Sequence, residues 1–380
     1  MDYKMVKLGT VISQAKNIRC GEHNYPVLSM TMHDGLIFQD DKFKKVIASA
    51  NRSEYKVVYR NQLVVSFPID EGVLAAQRIT DVGIVSPAYT IWDIDQAKIL
   101  PEFLEYALRC DRSINYYKAK LRGSTARRRS LPTPTLLEHT IPLPTIDAQR
   151  YILEIIHKSR NVLETRKIQL QKLDMLVRAR FVEMFGDPVS NSYGLPEATL
   201  PELGKFGRGV SKHRPRNDPR LLDGEYPLVQ TGDVANASLY ITSYNSTYSE
   251  LGLKQSKMWS KGTLCITIAA NIAKTAILEF DACFPDSVVG FIANEKTNNI
   301  FIHYWFSFFQ AILESQAPES AQKNINLKIL SELKVIVPEK EKQNEFVDFV
   351  HQVDKSKDSV QKALDEAQLL FDSLMQQYFG

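Results

Sequence analysis

The side chains best suited to chemistry in this chain are cationic. Between Gly207 and Arg220 the sequence runs GRGVSKHRPRNDPR, five basic residues among small polar ones with no apolar periodicity. Such a segment can neutralise phosphate oxygens, each neutralised charge releasing counterions. It can also read bases, because arginine and lysine pair with guanine and asparagine with adenine. Arg208, Ser211, Lys212, His213, Arg214, Arg216 and Asn217 are therefore candidate nucleic-acid contacts. The flanking glycines and prolines favour built turns over a loose basic tail. Downstream, Thr231 and Asp233 in VQTGD are expected in the polar loop ending a strand, and Lys274 in TIAANIAKTAI adds a further cation.

A second cationic run, Arg122 followed by GSTARRRS, stands in the first half, with Ser124, Thr125, Arg127, Arg128 and Arg129 as candidate phosphate contacts. Taken alone, such a run is as often a solvated surface. At an offset of 194 residues, however, the second half carries Ala321 followed by Gln322, Lys323 and Asn324, again polar and partly basic. The position, and not only the three arginines, becomes the candidate.

Catalytic chemistry needs a constellation, and none is legible. Gly207-x-Gly209 lacks the third glycine of a dinucleotide loop, and there is no phosphate-binding loop of the Walker type. The Asn-Pro-Pro-aromatic and Asp-Pro-Pro-aromatic tetrapeptides of amino-methyltransferases are absent, so the chain is not expected to methylate DNA itself. Pro285-Asp286 with Glu332-x-Lys334 resembles a nuclease pattern only loosely, because the separation is long. The seven histidines are isolated, and Cys20, Cys110, Cys265 and Cys283 are scattered without metal-ligand spacing. The expectation is no catalytic residue, no metal, and reduced thiols of a cytoplasmic protein. The N-terminus has no apolar core of signal-peptide length, and the run from Ile300 to Leu313 is too short to span a bilayer, so no membrane role is expected. A net charge of +3 permits nucleic-acid binding without demanding it.

What must position these residues is a duplication. Ile141–Gly186 recurs as Val335–Gly380 without a gap, the offset being 380 − 186 = 194. Leu143 falls on Val337, Pro144 on Pro338, Gln149 on Gln343, and Phe185-Gly186 on Phe379-Gly380. Each copy opens on a strand-like run ending in proline and continues as a long helical pattern. Ile156, Leu163, Leu170, Val177 and Met184 stand seven apart in the first. Phe346, Val353, Val360, Ala367 and Leu374 do so in the second, with Val350, Leu364, Phe371 and Tyr378 forming most of a companion track. That is a coiled-coil seam, and roughly 38 helical residues would reach about 57 Å. If the stripes pack on each other, an antiparallel pair with a globular unit at each end follows.

The units read as mixed α and β. Val6–Ile12, Tyr25–Met30, Leu63–Phe67 and Val82–Trp92 are strand candidates, and Leu100–Cys110 looks helical. Short echoes link the halves: Leu8-Gly9 with Leu203-Gly204, Tyr25-Pro26 with Tyr226-Pro227, and Leu104-Glu105-Tyr106 with Ile302-His303-Tyr304. The organisation expected is a globular unit at 1–140, a helical spacer at 141–186, a second unit at 187–334 and a second spacer at 335–380.

These features together resemble the specificity subunits of Type I restriction-modification systems. The resemblance rests on the duplicated layout, on IPLPTIDAQRYI followed by a long helix and RARFVEMFGDP, on VIVPEKEKQNEF near the C-terminus, and on GRGVSKHRPRNDPRLLDGEYPLVQTGDV. It implies two target recognition domains, each reading one half of a split, asymmetric site in double-stranded DNA. The paired helices would fix the gap, with Ile156, Leu163, Leu170 and Val177 facing Phe346, Val353, Val360, Leu364 and Phe371. It further implies docking of two methyltransferase subunits, which bind S-adenosylmethionine and carry catalysis, and of restriction and translocation subunits in the full complex. The chain itself would hold no cofactor and be no enzyme. The first unit departs from the pattern, having KNIRCGEHNYPVLSM where the second has its basic loop. The alternative is a coiled-coil scaffold joining two protein-binding domains, without DNA.

Overall fold

The computed structural model describes residues 3–32, 34–42, 52–67, 69–121, 131–269, 271–316 and 325–380. Arg122, Ser124, Thr125, Arg127, Arg128, Arg129, Gln322, Lys323 and Asn324 lie outside them. The chain forms two compact units, one of residues 1–167 and 361–380, the other of residues 168–360. Each is an α+β assembly closed by parts of two 40-residue helices, Ile146–Phe185 and Lys340–Phe379.

In the first unit a four-stranded antiparallel sheet runs in the order Ile12–Gln14, Thr90–Ile94, Leu63–Val65, Leu74–Ala76. Val82–Trp92 is not one strand but parts of two. Val82–Val85 pairs with Lys56–Tyr59, whereas Thr90–Ile94 pairs with two strands of the sheet. Pro87 lies in the turn between them, where a residue without an N–H donor interrupts any ladder. The second unit repeats the arrangement as Gly204–Arg208, Val288–Ala293, Leu264–Thr267 and Thr275–Leu278, and adds Tyr240–Ile241 at the far edge.

The duplication is held to the residue. The short helix Thr133–Glu138, the strand Thr140–Pro142 and the long helix Ile146–Phe185 recur as Leu327–Glu332, Lys334–Ile336 and Lys340–Phe379, every boundary displaced by 194. Strand register corrects one expected echo. Met5–Lys7 pairs with Thr140–Pro142 as Glu197–Thr199 pairs with Lys334–Ile336, so Leu8 corresponds to Leu200 and Leu203-Gly204 to Val11-Ile12. Two-residue identities carry too little information to fix register; ladder hydrogen bonds do.

The helical stripes are buried as their spacing requires. In the first unit Ile152, Leu153 and Ile156 share a core with Phe103, Leu104, Tyr378 and Phe379, with Phe371 and Leu374 packed against it. In the second, Val177, Phe181 and Phe185 meet Phe346, Val350 and Val353 below Phe301 and Trp305. Leu163 is also buried, while Leu170, Val360 and Leu364 are half-buried. Within each unit, then, the start of one long helix lies beside the end of the other. The aromatic pairs repeat as well: Phe103 lies 5.0 Å from Phe379 and Phe301 lies 5.2 Å from Phe185, ring centre to ring centre. Gly186 ends its helix with φ +76°, a left-handed conformation that favours glycine, and its N–H donates to the Val182 carbonyl.

Two buried glutamines explain why a helix starts after each Pro-ended strand. The Gln149 amide donates to the carbonyls of Lys98 and Pro144, and its oxygen accepts from the Leu100 N–H. The Gln343 amide donates to Lys296 and Pro338, and its oxygen accepts from Thr297. Each glutamine thus ties a helix start to the loop that enters a helix of its unit, Pro101–Arg109 in the first and Asn299–Gln316 in the second. Gln343→Ala is expected to destabilise the second unit by about 2 kcal/mol, because it strands buried carbonyls. A lowered denaturant midpoint checks this, and an unchanged one would mean that water replaces the amide without loss.

Candidate nucleic-acid interface

The cationic segment begins at the end of an edge strand. Arg208 closes Gly204–Arg208 and is exposed; beyond it the chain leaves the sheet and lies along the turn between Ala282–Cys283 and Val288–Ala293. The docking is close. The Gly209 N–H donates to Val288, the Val210 N–H to Phe284, and a Cβ on Gly209 would stand 2.2 Å from the Phe284 carbonyl oxygen. Glycine is needed there for proximity. On the other side the Gln255 side-chain oxygen accepts from the Lys212 and His213 N–H groups, and the Ser256 hydroxyl donates to the Val210 carbonyl.

So anchored, the segment sorts its candidates. Lys212, Arg214, Arg216 and Asn217 are exposed and His213 is half-buried, whereas Ser211 is buried at 6%. Two carboxylates then divide the cations. Asp218 accepts from Arg220 (2.7 Å) and shares a 3.1 Å hydrogen bond with His213; the Arg220 contacts hold its carboxyl well below the usual carboxylate range. Asp286 accepts from Arg214 at 3.4 Å and also from Arg216. Five Lys and Arg side chains against Asp218 within the segment and Asp286 beside it leave a local charge of 5 − 2 = +3. Its most exposed groups are donors.

The remaining expected contacts are not gathered with this segment. Thr231 and Asp233 do not lie in a loop: they open the helix Thr231–Asn236, and Asp233 is spent as its cap, accepting from the Gln230 N–H and the Asn245 amide. A strand ending one turn before a capping residue reads as strand then loop, because six helical residues are too few to show a period. Lys274 sits on the hairpin turn between Leu264–Thr267 and Thr275–Leu278, half-buried, beside a cleft of about 230 Å³ shared with Arg178, His303 and Gln310. The loose nuclease pattern finds no support: Asp286 holds two arginines, Glu332 faces Lys328, and no metal-ligand cluster occurs among the described residues. All four cysteines are buried and free, and burial pushes the Cys265 thiol up.

Sequence reasoning missed Asp218 and Asp286 as partners of the reading residues. Asp218 could have been found, two residues from Arg220. Asp286 could not, since 70 residues separate it from Arg216.

Residues 197–368, which include the whole cationic segment and run into the second long helix, match the Type I restriction modification DNA specificity domain. The second half of the chain thus resembles that family's DNA specificity domain. A protein of Methanocaldococcus jannaschii carrying the name type I restriction enzyme MjaX specificity subunit is 25% identical over 287 residues, 70% of this chain and 66% of its own length. Two solved structures share this chain's fold. One, from a study of complex assembly and conformational transition of the type I R-M system, has a TM-score of 0.63 at 17% identity, over 99% of this chain and 97% of its own. The other, the specificity subunit of a Type I system from M. genitalium, has a TM-score of 0.53 at 15% identity, over 100% and 96%. Among the described residues, no helix is long and apolar enough to cross a membrane.

Proposed function

We propose that this chain is the non-catalytic DNA-reading subunit of a Type I restriction-modification complex. Each unit reads one half of a bipartite, asymmetric site, and the two long helices set the gap. The observation that carries this reading is the exposed donor set Arg208, Lys212, Arg214, Arg216 and Asn217, built onto the unit that matches the family's specificity domain. Backbone hydrogen bonds anchor the segment beside the sheet, where base contacts gain register from phosphate contacts. Lys274 and the arginines Arg127 to Arg129 are candidates for phosphate.

Partners supply the catalysis. Methyltransferase subunits bind S-adenosylmethionine and methylate adenine, and restriction subunits complete the assembly. Docking of partner helices is supported by apolar side chains left on the outer faces of the long helices. In the second unit these are Ile168, Met175 and Val182, seven apart and exposed; in the first they are Leu369 and Leu370, at 70% and 57%. Rows of exposed apolar residues on a helix are surfaces for further helices.

The test is to co-express the chain with a Type I methyltransferase subunit and map modified adenines across the host genome. A bipartite motif with an undefined spacer is the expected result. A stable complex that methylates nothing would favour the scaffold alternative instead.

A further inference from the structure

The Asp286 carboxylate occupies the place where a DNA acceptor would be expected. It stands between Arg214 and Arg216, 35% exposed, and accepts from both. The two arginines are not equivalent. Arg214 also donates to the backbone carbonyls of Ser211 (2.5 Å) and His213 (2.8 Å), so three groups fix it and it serves as a support. Arg216 donates to Asp286 through one nitrogen, and its side chain is 47% exposed. A guanidinium has five donors in a rigid fork, so one edge can stay on Asp286 while the other meets a base.

We infer that Asp286 is a positioning and specificity-determining residue, holding Arg216 in one orientation and withholding both arginines from phosphates at unrelated sequences. This rests on the DNA-reading function proposed above. An aspartate between two arginines lowers the local charge from +2 to +1 and offers a competing acceptor with no cost of approach. A phosphate on unrelated DNA, which needs no particular guanidinium orientation, gains less from two arginines whose charge is half neutralised, whereas a base edge gains from an Arg216 held in one orientation. The clasp is a property of the second unit. The registers Ile84 to Cys283 and Ile94 to Ala293 both give an offset of 199, which places Pro87 where Asp286 stands. The first unit has no carboxylate there, and its Arg19 faces Glu54 instead.

The experiment uses the full chain in complex with its co-expressed methyltransferase subunit, comparing wild type with D286N, D286E and R216A. Binding is measured to a duplex carrying the mapped site, to duplexes with one mismatch in either half, and to unrelated DNA, across a salt series. D286N, nearly isosteric, is expected to bind unrelated DNA about 5- to 10-fold more tightly and to steepen the dependence of log K on log salt by roughly one to two charges. Its discrimination against mismatches should fall about tenfold in one half-site and stay unchanged in the other. D286E should restore most of that discrimination, which a merely structural role would not require. If R216A weakens one half-site while D286N leaves salt slope and discrimination as in wild type, the clasp is wrong and the reading function stands. If R216A changes nothing, the loop does not read DNA and both fail. A D286N chain that no longer folds would assign Asp286 to the fold and likewise overturn the inference.

Discussion

Replacing Arg214 and Arg216 together by alanine is expected to erase recognition of one half-site and leave the other intact. The base contact made by Arg216 is worth about 1–3 kcal/mol, about 5- to 150-fold in affinity. Removing its support Arg214 as well does not add a second full contact, because the two side chains share Asp286 and do not contribute independently. The double substitution also bares the Asp286 charge toward DNA, a repulsion that D286N in the same chain would remove. The readout is the pattern of methylated adenines: one half of the motif should degenerate while the other keeps its bases. Equal loss in both halves would show that the loop supplies general affinity and not sequence. No loss would sink the assignment of the loop altogether.

How far the sequence foretells such an effect depends on the range of the interaction behind it. The long helices were legible because their signal is local and repeated: Leu163 and Phe346 announce burial by spacing alone, and both are buried. The 194-residue offset was legible because 46 residues align without a gap, and the elements in that stretch share their boundaries to the residue. The sheets were legible only in part. Strands of three or four residues such as Leu63–Val65 and Leu74–Ala76 carry too little pattern to define a neighbour, and the turn at Pro87 was absorbed into one apolar run. At the site the cations could be named, since residue type suffices for that. Their partners could not, because the Arg216–Asp286 contact depends on a sheet register that brings residues 208 and 289 together. Ser211 and Asp233 show the converse difficulty. Residue types that suit DNA suit helix caps and buried turns equally well, and only exposure separates the two uses.

The second large effect concerns the gap. Each long helix passes from one compact unit into the other, between Lys167 and Ile168 in the first and between Val360 and Gln361 in the second. These positions are outside both cores: Lys167, Ile168 and Gln361 are exposed and Val360 is half-buried. Four residues added at both places lengthen each helix by about 6 Å and turn it about 40° past a full rotation. Matching the insertions keeps the helices in step, whereas lengthening one alone would shift Val177 and Phe346 out of the core that they share. With DNA rising about 3.4 Å per base pair, the undefined spacer of the methylated motif is expected to grow by one to two base pairs. Both half-sites should keep their sequence, and sites with the original spacer should lose methylation. The same bases at the original spacing would mean that the helices tie the units together without measuring the distance between half-sites. Altered bases would mean that the insertion had disturbed the reading units themselves, a result the buried cores on either side argue against.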